Sequence, residues 1–381
     1  MNNNNSNSIL IYDKPLSSYR IGNTHPMQPI RLSYVVELLE AYNIFNIRGI
    51  TRIKPEPASQ IDLLTFHTPQ YIKAVKNPNI TIASTTLNEF NIGYGDNPIF
   101  PNMYSLANLI VGSSILAAKQ IYSGNHKAAF NIAGGLHHAM PNNASGFCIF
   151  NDPVIAINTL LGFGLKLAYI DIDCHHGDGV QQAFYETDQV LTISIHESGK
   201  YLFPGTGFTY ETGIGKGKGY SVNIPLHPYT TDDIYIETFK NIVPNLIRLF
   251  SPDIIVAQLG IDTHYSDPLT HLSLTTQGHS QIVETIKNFG HPVLALGGGG
   301  YNLQAVSRGW ANAFAILSNH LLEDNIPDIY KSKYSVSTIS DKEQPQLSSR
   351  IRKLAHKVAK QNLMDIENSI LPIIKNRISI S

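Results

Sequence analysis

The segment from Ala168 to Gly179 reads AYIDIDCHHGDG and predicts both a fold and a site. It overlaps an apolar run, residues 165–172, of the kind that forms a buried parallel strand. Asp171, Asp173 and His175 share one face of an extended chain, because side chains alternate along a strand. Carboxylates and an imidazole that converge at a strand end are ligands for a divalent metal. The alternative is a polar turn that caps the next helix, but it would leave several acids buried without a partner ion, which is costly.

Short apolar strands alternate with helical segments along much of the chain. The other strands are predicted at residues 9–12, 128–132, 190–195, 253–259 and 292–296. Helices are predicted from residue 25, with Pro29 near the first turn, and at 62–75, 104–122, 152–161, 179–185, 231–250, 277–289 and 303–322. This alternation predicts an α/β fold with a mostly parallel sheet and helices on both faces.

Reactive side chains follow five of these strands, in the segments AGGLHHA, DIDCHHGDG, HESG, GIDTHYSDP and GGGGYN. Ligands of parallel α/β sheets bind beyond the carboxyl ends of the strands. We therefore expect the five segments to meet in one crevice. Residues 92–101, rich in Gly, Asn and Pro, are expected to form a loop.

Three of these residues form a candidate metal site: Asp173, His175 and Asp262. A three-ligand site leaves positions open for water and substrate, as a catalytic metal requires. One imidazole and two carboxylates suit zinc, although ferrous iron or cobalt could occupy the same set. A metal held in this way acidifies water and polarises a carbonyl, which points to hydrolysis or other Lewis-acid chemistry.

Candidates for proton transfer lie next to this set. His137 and His138 are adjacent in a glycine-bounded turn, and Asp171 and Asp178 could orient them as a general base and a general acid. The alternative for a lone histidine pair is a structural role. Tyr301 follows four glycines, and its hydroxyl could donate to a developing oxyanion. Taken alone, GGGGYN could also be a phosphate-binding loop or a tight turn.

Composition restricts the partners of the chain. The 381 residues include 28 Lys and Arg, 29 Asp and Glu and only two cysteines, Cys148 and Cys174. A net charge of −1 predicts no direct binding to nucleic acid and no membrane partner. The two cysteines are not spaced as a disulfide framework, which favours a reducing compartment, and the first residues lack the features of a signal peptide. We expect a cytoplasmic protein.

The chain is expected to have one catalytic domain with short extensions. Residues 1–8 are polar and are expected to be disordered, residues 9–322 form the catalytic domain, and residues 323–381 form a polar, basic helical tail. Between Lys331 and Ser381 there are ten Lys and Arg against four Asp and Glu. The tail contains a predicted helix at 350–362, and its basic residues are most simply a solvated helix face.

The order of the motifs AGGLHHA, GFCIFND, DIDCHHGDG, FPGTG, QLGID, SDP and GGGGYN resembles that of the histone deacetylase superfamily. The chain is most similar to the bacterial acetoin-utilisation-type branch, near class I. The resemblance implies a single domain of the arginase/deacetylase type around an eight-stranded sheet. It assigns to Asp173, His175, Asp262, His137, His138 and Tyr301 the roles derived above.

The resemblance also implies contacts that spacing does not give. The acyl-lysine stem would lie between the aromatic walls Phe147, beside Gly146, and Phe203. Leu269 matches a position at the tunnel rim, Asp96 matches an acid that binds the substrate backbone, and Arg31 matches the arginine of an internal acetate pocket.

Members of the resembled family also bind potassium, and two structural sites are implied here. The first would use Asp171, Asp173, His175, Ser194 and Ile195. The second would use Phe184, Thr187, Val190 and Tyr220.

The expected function is metal-dependent removal of acetyl or short acyl groups from lysine side chains of proteins or peptides. An acetylpolyamine or other small-molecule deacetylase is the alternative enzyme, and a non-catalytic scaffold that binds acetyl-lysine is the alternative from another class. A two-metal ureohydrolase is disfavoured, because Asp262 is followed by Thr263 and His264, so that a histidine stands where an Asp-x-Asp pair has its second acid. The sequence leaves the oligomeric state open.

Overall fold

The computed structural model describes residues 7–22, 24–78, 89–93 and 95–378, the side chain of residue 378 excepted. Within these ranges one sheet of eight strands forms, with the order β2-β1-β3-β8-β7-β4-β5-β6, and all neighbouring strands are parallel. The strands are β1 Ser8–Ile11, β2 Ile50–Ile53, β3 Ala128–Asn131, β4 Leu167–Asp171, β5 Val190–Glu197, β6 Ser221–Leu226, β7 Ile254–Gln258 and β8 Val293–Leu296. The predicted α/β class and the eight-stranded sheet are confirmed.

Helices cover both faces of the sheet, and their apolar sides form two large cores with it. The helices in the described ranges are α1 Pro15–Ser18, α2 Arg31–Ala41, α3 Gln60–Leu63, α4 Pro69–Lys76, α5 Met103–Tyr122, α6 Asp152–Leu161, α7 Asp178–Phe184, α8 Asp232–Phe250, α9 Thr276–Lys287, α10 Leu303–Leu317, α11 Asp328–Tyr334, α12 Ser349–Ser369 and α13 Leu371–Ile378. In this part of the chain, no helix is both long and apolar enough to cross a bilayer.

The strand order places the reactive segments side by side. The five strands that they follow, β3, β8, β7, β4 and β5, are consecutive neighbours in the sheet. Their carboxyl ends lie at one edge, because every pairing is parallel. The expected crevice therefore forms from segments that are far apart in sequence.

Some predicted elements differ from those observed. The helix expected from residue 25 begins only at Arg31, after Pro29, since a proline cannot continue a helix on its amino-terminal side without losing a hydrogen bond. The helix expected at 62–75 is two short helices, α3 and α4, and the second begins with Pro69 after an N-cap at Thr68. Strands β2 and β6 lie at the two sheet edges and carry weak signals, because β2 is half exposed and β6 contains Pro225.

The C-terminal helices pack against the edge of the sheet. The Asn362 side chain of α12 donates from Nδ2 to the carbonyl oxygen of Pro225 in β6, at 2.7 Å. Ile366, Ile370 and Ile374 belong to the larger hydrophobic core. Residues 323–378 are thus in contact with the catalytic fold, and the domain boundaries given above remain predictions. Residue 8 belongs to β1, and residues 1–6 lie outside the described ranges.

Candidate active site

The candidate metal ligands come together at the ends of β4 and β7. Asp173, His175 and Asp262 each place a ligand atom within 4.8 Å of the others. Nδ1 of His175 lies 2.8 Å from Oδ2 of Asp262 and 3.2 Å from Oδ1 of Asp173. All three residues are buried. Tertiary structure thus brings Asp173 and His175, which are two positions apart, together with an acid that follows another strand.

The donor set fits a divalent cation. The protein orients both carboxylates by hydrogen bonds: Oδ2 of Asp173 accepts from Gln258 and from the Gly299 N–H, and Oδ1 of Asp262 accepts from the Cys174 N–H. Oδ1 of Asp173 also accepts from the His175 N–H at 2.9 Å. Oδ1 of Asp173 and Oδ2 of Asp262 face Nδ1 of the imidazole. Burial and the neighbouring Asp173 carboxylate raise the pKa of Asp262. Two buried acids turned toward one point, with a nitrogen beside them, form a site whose charge a bound cation would balance.

Glycines make this cluster possible. A Cβ atom at position 299 would lie 2.1 Å from Oδ2 of Asp262, and one at position 260 would lie 2.2 Å from Oδ2 of Asp173. Both distances are far below van der Waals contact. The glycine run at 297–300 therefore lets the backbone pass directly beside the candidate ligands.

His137 and His138 form two histidine–aspartate pairs beside the ligands. Nδ1 of His137 lies 2.7 Å from Asp171 and Nδ1 of His138 lies 2.8 Å from Asp178. The two Nε2 atoms are 3.0 Å apart, and that of His137 is 4.0 Å from Oδ1 of Asp173. The two acids named from sequence are thus both next to the histidines, and the structure shows which acid meets which ring.

The two histidines differ in their electrostatic surroundings. Burial opposes the charge of His137, but Asp171 and Asp173 outweigh it and raise its pKa to about 9. Burial lowers the pKa of His138, and the positive charge on His137 lowers it further. A divalent cation in the same cavity would lower both pKa values.

The Asp171 carboxylate also makes several hydrogen bonds at the end of β4. Besides His137, its Oδ2 accepts from the hydroxyl of Tyr169 at 2.7 Å, and its Oδ1 accepts from the Asp173 N–H at 3.1 Å. These bonds fix the carboxylate inside the sheet. The orientation of His137 is consequently set by β4 itself.

Tyr301 reaches the site through the turn after β8. Its backbone N–H donates to Oδ2 of Asp267 at 2.8 Å, and its ring lies edge-on to Phe147 with centroids 5.7 Å apart. Burial raises the pKa of the Tyr301 phenol well above its usual value, and the carboxylates of Asp262 and Asp173 add to this. The hydroxyl is therefore a neutral donor.

The Arg31 side chain binds the backbone of the same turn. Its guanidinium donates to the carbonyl oxygens of Gly298 and Gly300, at 2.8 and 2.6 Å, and lies 4.9 Å from the centre of the Trp310 ring. An internal cavity beside Arg31 is lined in part by Tyr19 and Leu136. Arg31 is thus next to the internal space in which an acetate pocket was predicted.

Aromatic rings flank the histidine pair. The Phe203 ring is 5.0 Å from that of His138, and Phe203 is 44% exposed, so it lies between the site and solvent. Phe147 has a φ of 69°, a left-handed conformation that is unusual for a bulky residue. Gly146 lies against His138 and Phe203, since a Cβ there would be 2.5 Å from His138 and 2.9 Å from Phe203.

The other predicted substrate contacts lie on loops at the surface. Asp96 is exposed, and its carbonyl oxygen accepts from Nε2 of His25, whose ring packs 4.7 Å from that of Phe147. Leu269 is partly buried, and its N–H donates to Oδ1 of Asp267 at 2.9 Å. Both residues are therefore linked to side chains of the site.

The structure also gives the surroundings of the residues predicted to bind potassium. Asp171 and Ser194 are direct neighbours across β4 and β5, while Oγ of Ser194 is 2.7 Å from Nδ1 of His196. The second set lies near the amino-terminal ends of β5 and β6, where the Tyr220 carbonyl accepts from the Thr192 N–H. Binding of potassium at either set remains a prediction.

Several buried polar residues that orient the site were not assigned a role from sequence. Asp152 accepts from the N–H groups of Gly135 and Leu136, just before the histidine pair, and Gln258 donates to Asp173. The others are Asp267, Glu197 and Asp341. Four of these residues lie inside motifs quoted above, and that position indicates a role at the site: Asp152, Gln258, Asp267 and Glu197. Asp341 lies in a polar stretch without such a motif.

The profile of the Histone deacetylase domain matches residues 25–317 of the chain. Among curated proteins, Acetoin utilization protein AcuC of Bacillus subtilis is 40% identical over 312 residues, covering 80% of each chain. Histone deacetylase clr6 of Schizosaccharomyces pombe is 38% identical over 338 residues, covering 87% of this chain and 82% of the relative.

Solved structures are similar over almost the whole fold. A crystal structure of a histone deacetylase homologue in complex with the compound SAHA superposes with a TM-score of 0.82 at 31% identity. A homologue from Aquifex aeolicus superposes with a TM-score of 0.83 at 30% identity. Each alignment covers 92% of this chain and 99% of the other.

Proposed function

Because the chain belongs to the histone deacetylase family, and belonging to that family supports deacetylase activity, we propose that it removes acetyl groups from lysine side chains of proteins or peptides. The observation that carries the proposal is the convergence of the two histidine–aspartate pairs on the buried Asp173, His175 and Asp262 cluster. This arrangement combines proton transfer with a site for a Lewis acid.

The candidate ligands Asp173, His175 and Asp262 would hold a divalent metal, for which we propose zinc, with ferrous iron as the alternative. When bound, the metal would supply Lewis-acid chemistry, acidifying a water and polarising the amide carbonyl. The remaining steps fall to side chains of the protein. We propose that the pair His137 and His138, whose Nε2 atoms lie 3.0 Å apart, takes up the proton of the attacking water at one Nε2 and retains it for the leaving amine.

The other roles follow from where the remaining side chains lie. The Tyr301 hydroxyl would donate to the oxygen that becomes negative during attack on the amide. Nε2 of His138, the ring closer to Phe203 and solvent, would then protonate the leaving amine. Phe147 and Phe203 would enclose the apolar lysine stem and exclude water, and acetate would leave past Arg31.

A peptide substrate is favoured over a polyamine by the residues around the mouth. Phe203, beside His138, is exposed, and so are Tyr201, whose ring packs near His227, and Tyr229, whose ring packs near His271. Of the acids on the surrounding loops, Glu197 and Asp267 are buried and accept backbone hydrogen bonds, and Asp96 is exposed. One exposed carboxylate gives a cationic polyamine little to bind, whereas aromatic rings can pack against peptide side chains.

The test is hydrolysis of an acetyl-lysine peptide and of N-acetylputrescine by the purified protein, with and without a chelator. Tyr301→Phe removes the proposed oxyanion donor, and Tyr122→Phe, at the exposed end of α5, is the matched control. We expect peptide turnover that is lost with chelator, restored by zinc or ferrous ion, and reduced about 10²-fold or more in Tyr301→Phe only. Turnover of the polyamine alone would refute the proposed substrate, and no turnover by metal-loaded protein would refute the deacetylase mechanism.

A further inference from the structure

A buried carboxylate from outside the matched domain contacts the loop that carries Asp262. This loop, residues 261–274, is called the ligand loop below. The side chain of Asp341 is 4% exposed, and its Oδ2 accepts from Nε2 of His264 at 2.8 Å and from the Thr276 N–H at 2.7 Å. Its Oδ1 pairs with Arg308 at 2.8 Å. The Asp341 side chain thus joins the C-terminal segment to the ligand loop and to α10.

His264 is in turn hydrogen-bonded to other residues of the ligand loop. It is 1% exposed, and its Nδ1 accepts from the Ser266 N–H and lies 2.8 Å from the Ser266 hydroxyl. Its carbonyl oxygen accepts from the N–H of Asp267 at 2.8 Å. Asp267 in turn accepts from the N–H of Tyr301. A continuous chain of hydrogen bonds therefore runs from Asp341 to the backbone of Tyr301.

The far end of the ligand loop is held by other acids. Glu197 accepts from both the N–H and Nδ1 of His271, at 3.0 and 2.9 Å. Asp232 accepts from the Thr275 N–H at 2.8 Å. Neither of these bonds is made to the segment from Asp262 to Asp267. That segment is held by the backbone hydrogen bond from Tyr265 to Leu274 and by Asn302, which donates to the Ser266 carbonyl. Asp341, acting on His264, adds a charged anchor at its centre.

We infer that Asp341 is a positioning residue of the active centre. Through His264 it fixes the short segment that joins Asp262, a candidate metal ligand, to Asp267, which holds the turn of Tyr301. Loss of this anchor would loosen the ligand and the oxyanion donor together, while leaving the rim at His271 held by Glu197. The turnover part of this inference rests on the proposed function, and the metal-binding part does not.

The test compares variants that cut the link at different points. Asp341→Asn keeps the shape of the side chain and removes its charge. His264→Asn keeps the pair between Asp341 and Arg308 but removes the link to the ligand loop. Asp324→Asn is the matched control, because exposed Asp324 accepts from the Ser340 N–H and so anchors the same segment without contacting the ligand loop.

The measurements are zinc affinity of the full-length protein by chelator competition, kcat and KM for an acetyl-lysine peptide, and Tm. We expect Asp341→Asn and His264→Asn to weaken zinc binding about 10-fold or more and to lower kcat to a similar extent, with KM changed less than about threefold. Asp324→Asn should retain wild-type zinc affinity and kcat.

A purely structural role gives a different result. If both variants lower Tm but keep wild-type zinc affinity and kcat, the inference is overturned, and it is equally overturned if Asp324→Asn matches their losses. If the wild-type protein binds zinc but does not hydrolyse acetyl-lysine, the proposed function fails while the zinc affinities still decide the role of Asp341.

Discussion

The Nε2 atoms of His137 and His138 lie 3.0 Å apart, although the two rings are held by different aspartates. Asp171 ends β4 and Asp178 begins α7, so the acids come from opposite sides of one turn. Since Nδ1 of each ring is engaged, the proton that each can exchange with substrate is at Nε2. The aspartates therefore orient two consecutive side chains toward one point.

Removing the charge of Asp171 should cost more activity than removing that of Asp178. Asp171 also accepts from the Tyr169 hydroxyl and the Asp173 N–H, so its loss disturbs the histidine and the ligand turn together. We expect kcat to fall roughly 10³-fold in Asp171→Asn and roughly 10²-fold in Asp178→Asn. Steady-state kinetics on an acetyl-lysine peptide measure this, with exposed Asp188→Asn as the control. Equal losses of kcat in the two variants would show that the additional hydrogen bonds of Asp171 do not contribute to activity.

A methyl group at position 299 should weaken metal binding. In Gly299→Ala the new Cβ would lie 2.1 Å from Oδ2 of Asp262, so the carboxylate or the turn must move. We expect zinc affinity to fall roughly 10- to 100-fold, as measured by chelator competition. Gly22→Ala, whose Cβ would meet its nearest neighbour at an ordinary 3.7 Å, is the control. Unchanged zinc affinity in Gly299→Ala would contradict this prediction, because it would mean that the turn moves and the Asp262 carboxylate keeps its place.

The hydrogen bond between α12 and the sheet edge should contribute to stability. Asn362 is 4% exposed and donates to the Pro225 carbonyl, which would be unsatisfied in Asn362→Ala. We expect the free energy of unfolding to fall by about 1–3 kcal/mol. Urea denaturation measures the change against Gln361→Ala, an exposed neighbour on the same helix. If the two variants are equally stable, α12 does not depend on this contact.

Buried His67 should make the protein less stable in acid. Its Nδ1 carries the proton that is donated to the Met140 carbonyl, and the lone pair of its Nε2 accepts from the Asn151 N–H. A proton added at Nε2 would therefore break the hydrogen bond with Asn151. Burial lowers the pKa of His67 from 6.5 to about 4. Below pH 6.5 the unfolded histidine takes up a proton and the folded one does not, so the stability that His67 contributes is lost between pH 6.5 and pH 4.

The loss over this window is on the order of 3 kcal/mol at about 1.4 kcal/mol per pH unit. His67→Gln, whose amide can make the same two hydrogen bonds, should show a smaller decrease in the free energy of unfolding over the window. Exposed His356→Gln is the control and should follow the wild type. A slope in His67→Gln as steep as that of the wild type would contradict this assignment.

Much of the site could be predicted from sequence because its residues follow strands that have a clear apolar signal. Asp173, His175, His137 and His138 lie in short motifs, and a parallel sheet brings the carboxyl ends of its strands to one edge. The two edge strands were missed because one is half exposed and the other contains a proline.

The sequence by itself determined the α/β class, the edge of the sheet that carries the chemistry, and the residue types that bind and transfer protons, since periodicity and motif content are local properties. Only the tertiary structure decided which donor meets which acceptor. Asp171 pairs with His137, Asp267 holds Tyr301 and Asp341 holds His264 across 34 to 77 residues of sequence. Such partners cannot be read from spacing, because their proximity arises from strand order and from the burial of charges that must find hydrogen bonds inside the fold.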